Sequence, residues 1–218
     1  MKKTNILILL CIVVSLLTWT LNSNLVDYFT FSTSNILQGR CWTLITALFI
    51  HGGLVHLFGN IIFLYVFGNT LEDVIGAKKM LAAFFIGGIS AFLISTMFYP
   101  PDISMVGASA SIFTLAAVTM LDKPLKISLL FLFLPVGLVA ILYFIFNLFE
   151  IYYGISGNIA YISHVIGFMI GIPIGIYWSD EWVKNLITTV LLLFLYLILA
   201  YWFIPLLLIV YNLGWERI

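Results

Sequence analysis

An all-α, polytopic membrane helical bundle is the fold class that the sequence predicts, on three observations. Of 218 residues, 63% are hydrophobic and 8% charged, a composition far outside the soluble globular range. The apolar residues fall into runs of membrane-crossing length, bounded by charges or by Gly and Pro. The lysines lie on alternate flanks of those runs, which fixes an orientation. Nine Lys plus Arg balance nine Asp plus Glu, so no charge excess points to nucleic acid or another polyanion as partner.

About seven spans are expected, over residues 6–21, 51–71, 80–99, 109–121, 127–149, 159–178 and 186–211. The first follows Lys2 and Lys3, and no small-x-small cleavage site follows it at 20–24, so it reads as a retained helix. Residues 22–50 carry Tyr28, Phe29, Phe31 and Trp42. That segment is too aromatic for a solvated linker and too interrupted for a span, so it is expected in the interface as a membrane-embedded loop. The fourth span rises only about 20 Å against a hydrocarbon core of about 30 Å. Its N-terminal end must therefore be sunk, and residues 100–106 are expected to dip below the outer surface and line an enclosed, water-accessible cavity.

Cys11 and Cys41 fit neither a disulfide framework nor a zinc spacing and are read as packing residues. With the N-terminus cytoplasmic, Lys2, Lys3, Lys78, Lys79, Lys123, Lys126 and Lys184 are all cytoplasmic, leaving Arg40 and Arg217 outside. The chain is then one membrane domain, 1–218, with a six-helix part at 1–178 and an added C-terminal helix and tail at 179–218.

Spans two, four and six all run inward from the outer face, and each carries polar side chains near its N-terminal end. Polar groups in hydrocarbon are costly and mark functional sites. Ser109 opens span four, and His164 lies about 7 to 8 Å down span six. A serine becomes nucleophilic when a neighbouring base takes its proton, and histidine suits that role near neutrality. Gly167, Gly171 and Gly175 form a small-xxx-small stripe that would let span six approach a neighbour, and Ala108, Ala110 and Ser111 make the start of span four equally slim. His56 and Asn60, spaced i, i+4, share one face and can donate hydrogen bonds, either as glue between helices or toward an oxyanion. The Ser109 amide at a helix N-terminus would add a backbone donor. Gly107 permits a strained turn before the serine. His51, at the mouth of span two, is read as holding the loop or a water.

The ordered set of motifs resembles the rhomboid family of intramembrane serine proteases. His51-Gly52-Gly53-Leu54-Val55-His56-Leu57-Phe58-Gly59-Asn60 resembles the family's histidine-rich segment ending in H-x-x-x-N. Gly107-Ala108-Ser109 resembles its G-x-S nucleophile motif, and His164-Val165-Ile166-Gly167-Phe168-Met169-Ile170-Gly171 resembles H-x-x-G-x-x-x-G. The likeness covers residues 6–178, and the seventh helix matches variants with one helix appended.

The resemblance implies a Ser109–His164 dyad without an acidic third member, with an oxyanion site from His56, Asn60 and the Ser109 amide. It also implies a transmembrane helix as substrate, cleaved near the outer face within the lipid bilayer, and no cofactor or metal. The absent acid agrees with spans free of Asp and Glu. The compact chain suggests a prokaryotic plasma membrane. Three positions depart from the family pattern. Trp42 is followed by Thr43, with Arg40 two residues before it; Ala110 follows the serine where Gly is usual; and Phe113 stands where some members have Tyr, in position to pack against His164. A noncatalytic client-binding relative, like derlins and inactive rhomboids, is the alternative, and retention of Ser109, His164, His56 and Asn60 argues against it. A small transporter is disfavoured by the lack of a duplicated pair of interrupted helices.

Overall fold

The computed structural model describes residues 1–154, 161–203 and 205–206. Its long helices are α1 (Lys3–Thr18), α5 (Leu54–Ile75), α6 (Ala77–Ser95), α7 (Ser109–Asp122), α8 (Val136–Tyr153), α9 (Tyr161–Trp178) and α10 (Trp182–Ile198), with three short helices α2 (Ser23–Asp27), α3 (Thr33–Leu37) and α4 (Thr43–Thr46) between the first two. Among the described residues, four of these helices and the segment Trp182–Phe203 are long and apolar enough to cross a membrane, while α1 and α7 are shorter apolar helices. The protein is a polytopic helical bundle and a multi-pass integral membrane protein.

Helix α7 is the axis of the bundle because it is hydrophobic or small all round. Every residue from Ser109 to Leu121 is buried. Its neighbours come close by presenting glycine. A Cβ at Gly87 or Gly88 of α6 would strike Thr114 or Ser111, and one at Gly167 or Gly171 of α9 would strike the backbone of Ala110 or Thr114. In a membrane, where lipid is as apolar as leucine, such close backbone contact is what holds helices together. Thr114 Oγ1 adds a buried hydrogen bond to the Gly167 carbonyl at 2.7 Å.

Helix α1 is fastened to α5 at the lysine-rich end. Glu72 accepts from the Lys3 and Thr4 amides at 2.7 and 2.8 Å, a carboxylate on the positive end of a helix dipole. Asp73 pairs with Lys2 at 2.6 Å and Lys126 at 3.2 Å.

Several sequence expectations are corrected. Span two begins at Leu54, not residue 51, because Gly52 and Gly53 interrupt the helix and leave His51 in the loop. The fifth span loses its first turns. Residues 127–135 form a small hairpin in which β1 (Ile127–Ser128) pairs with β2 (Leu134–Pro135), and Pro135, which lacks an N–H, sits at the N-cap of α8. The seventh span starts earlier, at Trp182; its expected end at 211, the start of the sixth span at 159 and Arg217 lie outside the described residues. Acidic residues do fall within helices, since α5 runs on to include Glu72 and Asp73 and α8 includes Glu150. Cys11 is buried, whereas Cys41 is exposed and packs nothing away.

The segment 22–50 is a folded layer. Phe31, Ala47 and Leu48 are fully buried, and Phe31 stacks on Phe92 of α6 at 5.0 Å. Arg40 lies 3.7 Å over the Tyr28 ring, and Trp42 Nε1 donates to the Tyr28 carbonyl at 3.0 Å. The displaced arginine and tryptophan thus converge on one tyrosine. Residues 100–106 do not line the cavity. Met105 pairs with Phe31 through two backbone hydrogen bonds of 2.7 and 3.1 Å, and its side chain is buried.

Candidate active site

Ser109 is the first residue of α7, reached through a turn that only glycine makes easily. Gly107 has φ +111°, a region L-residues rarely adopt. A Cβ there would also stand 2.8 Å from His56 Nε2. The turn is held by the Gly107 N–H, which donates to the Ala47 carbonyl at 2.8 Å. His56 therefore sits against the backbone that leads into Ser109.

His164 lies one turn into α9. Because Gly167 brings α9 against the Ala110 carbonyl, the two side chains meet, with Ser109 Oγ 2.7 Å from His164 Nε2 and both residues buried. The imidazole is clamped on two sides. Phe113 stacks on it with centroids 4.8 Å apart, and Tyr161 meets it edge-on at 5.7 Å. Phe113 in turn stacks on Tyr143 of α8 at 4.1 Å, and Tyr143 on Phe63 of α5 at 3.8 Å. One pile of rings spans α9, α7, α8 and α5.

Sequence reading missed the other partner of the histidine. His164 Nδ1 is 2.7 Å from Asn147 Oδ1, and Asn147 Nδ2 donates to the Tyr161 carbonyl at 3.2 Å. Asn147 is 2% exposed. The signal that could have found it is an amide within the fifth span, where an unsatisfied polar group is costly. Tyr99, between α6 and α7, accepts from the Ile162 N–H at 3.3 Å and so steadies the start of α9.

His56 and Asn60 line the same cavity as Ser109 and His164, a space of about 680 Å³ walled mainly by apolar side chains from α5, α7, α8 and α9. Asn60 Nδ2 donates to the His56 carbonyl at 2.9 Å, along its own helix. Its Oδ1 is buried with no partner among the described residues. His51 stands behind the site. Its Nδ1 is 3.0 Å from Ser15 Oγ, and its carbonyl accepts from Trp19 Nε1 at 2.7 Å, tying the loop to α1. Among the described residues no cluster of three or more His, Cys, Asp or Glu could hold a metal ion.

A hydroxyl hydrogen-bonded to a buried imidazole, beside further donors in a sheltered cavity, is an arrangement able to perform acyl transfer. Residues 38–181 match the family described as the rhomboid domain, and the match takes in Ser109, His164, His56 and Asn60. The chain belongs to the rhomboid family. The putative rhomboid protease YdcA of Bacillus subtilis is similar at 32% identity over 83 residues, 38% of this chain and 42% of that protein. Rhomboid-like protease 1 of Toxoplasma gondii is 27% identical over 158 residues, 67% of this chain and 50% of its own length. The chloroplastic Rhomboid-like protein 11 of Arabidopsis thaliana is 35% identical over 79 residues, 36% of this chain and 28% of that protein. The chain thus spans half or less of the length of each of these relatives. Rhomboid relatives come from bacteria and eukaryotes alike, so likeness does not select a prokaryotic membrane.

Proposed function

We propose that this rhomboid is an intramembrane serine endopeptidase that cleaves transmembrane helices near the outer face. The 2.7 Å contact between Ser109 Oγ and His164 Nε2 carries the reading. The 14-residue α7 rises only about 21 Å, short of a hydrocarbon core of about 30 Å, which supports a serine sunk below the outer surface.

In the proposed reaction Ser109 Oγ attacks the scissile carbonyl carbon while its proton passes to His164 Nε2. Charge collects on the carbonyl oxygen, where the His56 ring, the Asn60 amide and the Ser109 N–H are the candidate donors. Collapse breaks the C–N bond, and the leaving amine takes the proton from His164. Water then attacks the resulting ester, again giving its proton to Nε2, and Ser109 recovers a proton as the acid product leaves. A helical substrate must unwind before its peptide bond can reach Ser109, so residues of low helix propensity near the cut favour cleavage.

The test is cleavage of a single-span reporter by purified protein in detergent. Cleavage by the wild type, lost in Ser109→Ala and retained in Cys41→Ala, is the expected result. Binding of the reporter without cleavage would overturn the reading in favour of a client-binding scaffold.

A further inference from the structure

Asn147 sits on α8, a helix without any motif of the family likeness, yet its side chain closes the far side of the histidine. Which atoms face which neighbours follows from donor and acceptor chemistry alone. The Tyr161 carbonyl can only accept, so the group 3.2 Å from it must be the Asn147 NH₂. The remaining atom, Oδ1, is an acceptor only, and it lies 2.7 Å from His164 Nδ1. That nitrogen must then carry the proton. In a neutral imidazole this leaves Nε2 as a bare lone pair, directed at Ser109 Oγ 2.7 Å away.

We infer that Asn147 is a positioning residue that locks His164 in the Nδ1–H tautomer, so that the nitrogen facing Ser109 is always the base. The consequence for catalysis rests on the protease reading above, whereas the tautomer does not. When Nε2 takes the serine proton, the Nδ1–H bond to Asn147 becomes charge-assisted and strengthens as charge develops on the ring. A carboxylate would do this more forcefully, but it would hold a charge in a membrane-embedded, buried site. The amide orients the ring and leaves the resting site neutral. Its second hydrogen bond, to Tyr161 at the start of α9, ties the orientation to the helix that carries His164.

The experiment is ¹⁵N NMR of histidine-labelled full-length protein in detergent, with the signals lost in His164→Ala assigning that residue. Wild-type His164 is expected with its proton on Nδ1. In Asn147→Leu the ring is expected to populate both tautomers, and kcat for the reporter to fall about 10- to 100-fold, the size of a hydrogen bond to a charged group, with KM unchanged. Asn147→Ala carries the same readouts if the leucine variant does not fold. A wild-type His164 protonated on Nε2, or a folded Asn147 variant with wild-type kcat, overturns the inference. Wild-type protein that cleaves nothing, but whose Nδ1–H signature is lost in Asn147→Leu, overturns the protease reading and supports the positioning role.

Discussion

The two walls of the cavity use glycine for opposite purposes. Where α9 meets α7, Gly167 and Gly171 have no room for a Cβ, and the helices touch backbone to backbone. Across the cavity, Gly52, Gly53 and Gly59 have nothing within 4 Å of where a Cβ would stand. On the same wall Val55 is 88% exposed, and Phe146 of α8 is 59% exposed. One wall is fixed by contact and carries Ser109 and His164. The other leaves space that an extended chain could occupy. Precision on one side and room on the other is what a site needs when its own atoms must be held while its substrate is not yet in place.

The largest effect is expected where the fixed wall loses its reacting atoms. Ser109→Ala and His164→Ala should each lower reporter cleavage about 1,000-fold or more, measured as kcat/KM, because neither alone supplies an activated nucleophile. A His164→Ala protein still labelled by a serine-directed fluorophosphonate at the wild-type rate would break the pairing. His56→Ala, on the open wall, should reduce kcat about 100- to 1,000-fold as the loss of one oxyanion donor, without altering thermal stability. A drop in thermal midpoint with unchanged kcat would instead make His56 a prop for the Gly107 turn. Gly167→Ala should act through the fold, since the added methyl meets the Ala110 carbonyl. A cost of about 1–3 kcal/mol is expected, read as a lowered unfolding midpoint in detergent.

The bundle was legible because apolar runs and charged breaks are dictated by the bilayer. Ser109 and His164 were legible because small residues flank both, at spacings that permit close helices. The errors came from residues that act locally. Pro135 ends one structure and begins another, and Gly52 with Gly53 holds His51 out of the helix it adjoins. Asn147 could be flagged as an amide within a span, but its partner could not be read. It lies in no motif, and its worth depends on how α8 rotates against α9, which the ring pile from Phe63 to His164 sets through packing. The layer at 22–50 is anchored by the pairing of Phe31 with Met105, which joins residues too far apart in sequence for any local pattern to announce.

The smallest effect is the sharpest test of the contrast between the walls, because it repeats one substitution where the surroundings differ. Gly59→Ala places a methyl inside helix α5 with no atom to meet. Relief of glycine's backbone entropy then acts alone, and a gain of about 0.5–1 kcal/mol is expected. The unfolding midpoint should rise where that of Gly167→Ala falls. Both variants keep Ser109 and His164 in the sequence, so the unfolding midpoints compare packing at the two walls. If the open space at Gly59 receives substrate, the same methyl that stabilises the protein should also lower kcat/KM for reporters with a bulky residue near the cut more than for those with a small one. Equal losses of stability at the two positions would mean that the open wall closes on itself, and the contrast would not survive.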